Sequence, residues 1–334
     1  MGETHMTRKA KGLLHRLTFA VALSVGVMGA GVAGAAEKLT YLFPAPSFLP
    51  AFAPFMLAQA KGYYKAEGVD VEFAIGKGGA DVAKQVGAGN ADLGGGIGDT
   101  PVIVRPNGVP VKAVAVLGGR ALTQIVVRAD SGINGPADLK GKTVAVMAYQ
   151  DTTYYSLLGA LAAFNMTKND VNAQAVGPAG VSKLMISGDA PAMAGVPEWA
   201  AAVEAEGIAI KWFAVDQYFP GMAQAIIASD ETIAKKPQAV KGFVKGTLKA
   251  LAEIMKDPQA AAKEYVAAVP QHAGKEAAMA KILGYYAEKV YPGQKVLGAM
   301  DEVRLEKLQD FYVAQGIVRA KTPLAELYTN QFVQ

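Results

Sequence analysis

The residues able to do chemistry gather where an apolar run gives way to a helical pattern. Four such junctions stand out. Pro44 to Pro50 places Ser47 and Phe48 among prolines, which stiffen the loop and hold an aromatic platform ready for stacking. Gly78-Gly79 opens a helical stretch, and backbone N–H groups at a helix start bind anions. Asp99-Thr100-Pro101 is a third start, with Pro at an early helical position. Gln150, Asp151, Thr152, Thr153 and Tyr154 bring amide, carboxylate and hydroxyl groups to a fourth. Glu198 and Trp199 follow Pro197 at another helix start, and Tyr218 precedes an apolar run. Trp199 could stack on a planar ligand, and Glu198 could receive a cationic or hydrogen-bond-donating group. Each has a plainer reading beside it. Asp99, Asp151 and Thr152 are ordinary N-cap residues. Gly78-Gly79 also suits a tight turn, Trp199 a core position, and Glu198 a solvated first-turn carboxylate.

Other chemistries lack their residues. The chain has no Cys, so disulfides, thiolate catalysis and Cys-ligated metals are excluded. Its three His are His5, His15 and His272, the first two close to the N-terminus. A multi-His zinc site is not expected, nor is a pair of His for acid–base work. No Ser nucleophile elbow is visible. No catalytic residue, metal or cofactor is expected. Aromatic residues are plentiful near the junctions (Phe48, Tyr149, Tyr154, Tyr155, Trp199, Tyr218, Phe219), while basic ones are few. Arg105 and Arg120 are the candidates, and Arg105 reads as a helix-surface residue. Binding rather than catalysis is the expected chemistry, with a small ligand that is planar or anionic, such as an aromatic carboxylate or a heterocycle.

The N-terminus bears on where this happens. Arg8, Lys9, Lys11 and Arg16 precede an uncharged Ala/Val/Leu/Gly-rich stretch from Leu17 to Val32. Small residues follow at Ala33-Gly34-Ala35, and charge returns at Glu37. That order reads as a secretory signal peptide over residues 1–36, cut after Ala35 or Ala36. The full chain carries a net charge of +4, and most of that excess lies in this leader. No Lys/Arg cluster remains to suggest nucleic acid. No later run is long and apolar enough for a membrane span, so the mature chain is expected to be soluble and monomeric.

Positioning the junctions requires alternating strands and helices. Apolar runs at Lys38–Phe43, Val69–Ile75, Val111–Leu117 and Thr123–Arg128 read as strands, with helical patterns between the earlier ones. A second set follows at Thr143–Met147, Val171–Val176, Ala190–Ala194 and Ile208–Phe213. Met222 to Ala228 reads as a strand returning to the first set, and nearly everything after Glu231 is helical. The expected class is α/β, with two lobes that are each a mostly parallel sheet flanked by helices. Lobe I takes 37–127 and 222–334, and lobe II takes 128–221. Two lobes joined by two crossings make a cleft, where small-molecule sites form.

Three segments carry a family resemblance. They are Ala60-Lys61-Gly62-Tyr63-Tyr64-Lys65-Ala66-Glu67-Gly68-Val69-Asp70-Val71, Gly89-Asn90-Ala91-Asp92-Leu93-Gly94 and Asp138-Leu139-Lys140-Gly141-Lys142-Thr143-Val144-Ala145. In order and spacing, over residues 38–250, they resemble periplasmic binding proteins for sulfonates, taurine, nitrate and the pyrimidine precursor of thiamine. The resemblance implies a type II periplasmic-binding fold, a ligand enclosed by both lobes, and delivery to the membrane permease of an ABC importer. It also implies that the loop around Thr152 and Thr153 lies at the cleft. One departure is Pro191, where such proteins usually have an acidic residue at the end of the second-lobe motif. A sensory module for a membrane receptor would use the same fold. A fungal relative in the family makes the thiamine pyrimidine with its own His and Cys-rich chemistry, for which this chain lacks the Cys.

Overall fold

Two five-stranded sheets, each covered by helices, make up the computed structural model, which describes residues 36–149 and 151–334. Residues 1–35 of the expected signal peptide, and Gln150, lie outside the described residues. The first unit runs β1 (Glu37–Phe43), α1 (Ala53–Ala60), α2 (Tyr63–Ala66), β2 (Val69–Ile75), α3 (Gly79–Gly87), β3 (Leu93–Ile97), α4 (Thr100–Val104) and β4 (Val111–Val116). The second runs β5 (Gln124–Arg128), β6 (Thr143–Val146), α5 (Thr152–Ala162), β7 (Asn172–Ala175), α6 (Gly177–Ser187), β8 (Ala192–Gly195), α7 (Pro197–Ala205) and β9 (Ile210–Phe213). The chain then returns through β10 (Gln224–Ser229) to α8 (Asp230–Lys235), α9 (Pro237–Lys256), α10 (Pro258–Ala268), α11 (Glu276–Lys289), α12 (Glu302–Ala314) and α13 (Leu324–Leu327).

Strand order is β2-β1-β3-β10-β4 in the first sheet and β7-β6-β8-β5-β9 in the second. Each sheet has one strand running against its neighbours. It is β10 in the first and β5 in the second. These are the two strands that follow a crossing between lobes. Residues 124–127 fall within the 37–127 expected for lobe I, and they pair instead with β8 and β9 of the second sheet. A β-branched, fully buried run fits either sheet equally well, so its pattern carries no information about which lobe it joins. Pro191 does not block strand entry. β8 starts one residue later, and the Pro191 carbonyl accepts from Arg128 N at 2.9 Å.

Packing explains why these segments hold their places. In β3 the run Leu93-Gly94-Gly95-Gly96-Ile97 leaves no side chain between sheet and helix. A Cβ on Gly94 would lie 2.3 Å from Val82, so α3 can rest directly on the strand. In lobe I, Tyr41, Phe43, Phe55, Phe73, Tyr64 and Phe243 form one aromatic cluster, with the Tyr64 and Phe243 rings stacked at 4.8 Å. The helices α9 and α10 cover this lobe, and α11 packs on both of them. No described helix is long and apolar enough to cross a membrane.

Candidate functional site

The crossings between lobes are tied to each other and to the ends of the sheets. Leu117 N donates to Gln224 O at 2.7 Å, and Leu122 N donates to Met222 O at 3.0 Å. The Gln124 side chain donates to Ala121 O at 2.7 Å and accepts from Val215 N at 3.1 Å, so one amide braces both crossings. Asp216 accepts from Ala121 N at 2.8 Å and pairs with Arg304 of α12. Arg304 Nε also donates to Gly221 O at 2.8 Å. Gly118, at φ +138°, lets the first crossing approach the chain after α11, where a Cβ would meet Val290 O at 2.5 Å.

Asp99 stands where β3 ends, beside this junction, since Gly98 N donates to Ala223 O at 3.0 Å. Its side chain makes no capping bond to α4. One carboxylate oxygen accepts from the Tyr312 hydroxyl of α12, and Oδ1 has no partner among the described residues. The residue is 1% exposed, and burial pushes its pKa up to about 6. In the second unit, α5 begins with Asp151, which caps it by accepting from Thr153 N at 2.9 Å. Burial raises this carboxyl too. Tyr155, one turn into α5, meets the Tyr312 ring edge-on at 5.5 Å. A continuous chain of contacts, Asp151–Tyr155–Tyr312–Asp99, therefore joins the two lobes.

Further buried polar atoms without partners lie around the same junction. They include Thr123 Oγ1 in the first crossing, Ser156 Oγ next to Tyr155 in α5, and Gln224 Oε1 at the start of β10. Gln224 pairs with Ile97, two residues before Asp99. Away from these, Tyr291, whose ring stacks on Tyr286 at 5.5 Å, also has an unpartnered hydroxyl. Native interiors satisfy nearly all such groups, so each of these unpartnered atoms calls for a reason.

A second polar contact, between α7 and α11, centres on Glu198 at the start of α7. Its Oε2 accepts from Tyr286 OH of α11 at 2.6 Å, and burial raises its pKa. The Phe48 carbonyl accepts from Tyr265 OH at 2.6 Å and from His272 Nε2 at 2.5 Å. A carbonyl only accepts, so that His nitrogen carries the proton. The Phe48 ring stays exposed, 6.2 Å from His272, and Ser47 beside it is half-buried.

The remaining expected residues divide. Thr100 and Thr153 are buried and hold backbone, accepting from Ile97 N at 2.9 Å and Met147 N at 3.0 Å. Thr152 and Tyr154 are half-buried on the first turn of α5, the Tyr154 ring 5.4 Å from Tyr149. Gly78 N already donates to Pro44 O at 2.8 Å, and Gly79 lies against Gly96. Trp199 packs into the core of lobe II. Tyr218 is not brought to the Asp99 group; its ring lies 5.2 Å from Phe164, past the far end of α5. Arg105 pairs with Asp230 and Glu326, and Arg120 donates to Glu288 O. Sequence reasoning missed Thr123, Ser156, Gln224, Tyr286, Tyr291 and Tyr312. The tyrosine hydroxyls in the C-terminal helices were the available signal, being polar groups on otherwise apolar faces.

Residues 49–261 match the family model described as NMT1/THI5 like. The chain belongs to that family. Among its relatives, the riboflavin-binding protein RibY of Chloroflexus aurantiacus is 26% identical over 297 residues, covering 86% of this chain and 85% of the relative. The 4-amino-5-hydroxymethyl-2-methylpyrimidine phosphate synthase of Aspergillus parasiticus is 27% identical over 251 residues, covering 69% and 70%. The periplasmic aliphatic sulphonate binding protein SsuA from Escherichia coli superposes with a TM-score of 0.70 at 17% identity, over 88% of this chain and 93% of that one. That likeness shows the type II periplasmic-binding fold. The relatives this chain resembles thus include one named as a binding protein and one named as a synthase.

Proposed function

We propose that this chain is the extracytoplasmic solute-binding component of an ABC importer, enclosing a small, planar ligand between its lobes. The observation that carries the reading is the set of buried polar atoms left without partners where the crossings meet: Asp99 Oδ1, Thr123 Oγ1, Ser156 Oγ and Gln224 Oε1. They come from both lobes and from the connection between them. A ligand bonded to all of them would favour the closed arrangement by its differential affinity, with no covalent step. Tyrosine and phenylalanine faces nearby suit a flat molecule. The relationship to a riboflavin-binding protein supports an aromatic cargo.

The test is a thermal-shift screen of mature protein that has been unfolded and refolded to strip any carried ligand. It should cover flavins, pyrimidines, aromatic acids, sulfonates and nitrate. A ligand that binds only the folded state raises the melting temperature saturably. The expected hit is a planar heterocycle. Absence of a saturable shift with every class would count against the binding-protein reading.

A further inference from the structure

We propose that Asn134-Gly135 is a self-modification site, at which the folded protein converts Asn134 to aspartate and isoaspartate through a succinimide, with Lys211 polarising the reacting amide. Asn-Gly occurs twice in the chain, at Asn107-Gly108 and Asn134-Gly135. The chemistry open to both is the same. The glycine backbone nitrogen attacks the asparagine Cγ and gives up its proton as the new C–N bond forms. The Cγ–Nδ2 bond breaks, and ammonia leaves. Water then opens the ring at either carbonyl, giving aspartate or, with the backbone rerouted through Cγ, isoaspartate. No oxidant or reductant is involved. Glycine favours the attack because it puts no side chain beside the nitrogen.

The fold treats the two steps differently. Asn107 closes a helical turn, Arg105–Asn107. Its Nδ2 donates to Ile103 O, and Gly108 N donates to Arg105 O, both at 2.9 Å. Attack there would break both bonds and unwind the turn. Asn134 is exposed, in the segment between β5 and β6. Gly135 is extended, and its N–H has no hydrogen-bond partner among the described residues, so no bond holds the nitrogen back. Lys211 Nζ, on β9, lies 3.0 Å from Asn134 Oδ1. An ammonium only donates, so the atom it meets is the amide oxygen. A cation there draws electrons from Cγ and stabilises the negative charge that grows on Oδ1 as the nitrogen attacks. Lys211 also donates to Ile133 O at 3.3 Å, and Asp138 accepts from Asn134 N at 2.8 Å, which holds the cation and the reacting residue together. Asn134 Nδ2 gives up one exposed bond, to Gly132 O at 3.2 Å, as ammonia departs. The segment follows Arg128, at the opposite end of β5 from Gln124 and the crossings. Conversion therefore adds negative charge to lobe II away from the crossings.

The test holds folded mature protein at mildly alkaline pH and follows both asparagines by peptide mapping and mass spectrometry, with isoaspartate resolved by its fragmentation. Asn134 should convert about tenfold faster than Asn107, the rate equivalent of the hydrogen bonds that Asn107 would have to surrender. In guanidinium the two should convert at similar rates, because the fold makes the difference. Lys211→Met, at a half-buried position, should slow Asn134 by about threefold and leave Asn107 unchanged, the rate equivalent of one partly solvated charge contact. Equal rates in the folded protein, or a faster Asn107, would overturn the proposal without any variant being needed. A gap of the same size in guanidinium would overturn it too, since the preference would then belong to the local sequence. An unchanged or faster Asn134 in Lys211→Met would overturn the role given to Lys211.

Discussion

The lobes of this protein touch in two ways that differ in how their polar groups are satisfied. On one side, α7 of lobe II meets α11, which packs with the helices covering lobe I. Glu204 there accepts from Tyr285 OH at 2.5 Å and pairs with Lys281 at 3.1 Å. The Trp212 ring meets Tyr285 at 5.2 Å, with Lys289 5.1 Å above it. These groups serve one another. At the crossings, Asp99, Thr123, Ser156 and Gln224 each keep a buried atom with no partner. The fully paired contact is a clasp that needs nothing further. The incompletely paired one has polar atoms that the described residues leave unsatisfied. Under the proposed function, the first contact is structural and the second is the one a ligand would complete.

The largest effect should come from breaking the pin that holds the crossings. Arg304→Leu leaves Asp216 largely buried without its cation, and Asp216 still carries the Ala121 amide. Removing one partner of a buried pair costs about 3 kcal/mol or more. The expected outcome in urea unfolding is a loss of that size, with partial recovery in the double variant Arg304→Leu, Asp216→Leu. A loss under about 1 kcal/mol would show that the pin is replaceable by solvent.

Next in size is the cost stored at Asp99. Its folded-state pKa of about 6 lies above the ordinary 3.8. Between those values the folded protein holds a proton that the unfolded chain has released. The group therefore favours folding more as pH falls from above 6 toward 4, and its charge opposes folding fully above 6. Burial shifts Asp151 and Glu198 the same way. Asp99→Asn should raise the stability of the ligand-free protein at pH 7.5 by roughly 2 kcal/mol and flatten its pH profile between about 4 and 6. Melting curves across that range decide it. A variant that melts lower than the parent and keeps the slope would mean that the carboxylate is needed structurally.

The same contrast shows what was readable from sequence. Strand and helix alternation, the cleft, and Asp99, Asp151 and Glu198 as candidates followed from patterning and helix starts, because those signals are local. Tyr312 lies 213 residues from its partner Asp99, and Tyr286 lies 88 from Glu198. No spacing rule spans such distances. Nor could an apolar run reveal that β5 belongs to the second sheet, since both sheets bury such runs on both faces. Tyr218 looked like a cleft residue from its place before β10. The chain turns there, so Phe219 fills the space over Gly159, and Tyr218 points toward Phe164.

The smallest expected effect tests the clasp itself. Tyr285→Phe removes the hydroxyl that donates to Glu204 and leaves the ring against Trp212. Lys281 still neutralises Glu204, and the site is partly solvated, so the loss should be about 1 kcal/mol or less. That is too little to unfold the protein but enough to matter kinetically. If the clasp forms only when the lobes close, the whole loss falls on the closed state, and ligand dissociation should quicken by about fivefold. Trp212 lies within the clasp, so its fluorescence should report the opening in a stopped-flow chase of bound ligand. An unchanged dissociation rate beside a lowered melting temperature would mean that α7 and α11 stay together when the cleft opens. The lobes would then have to part by swinging about the clasp, with Asp151 leaving Asp99 while Glu204 keeps Tyr285.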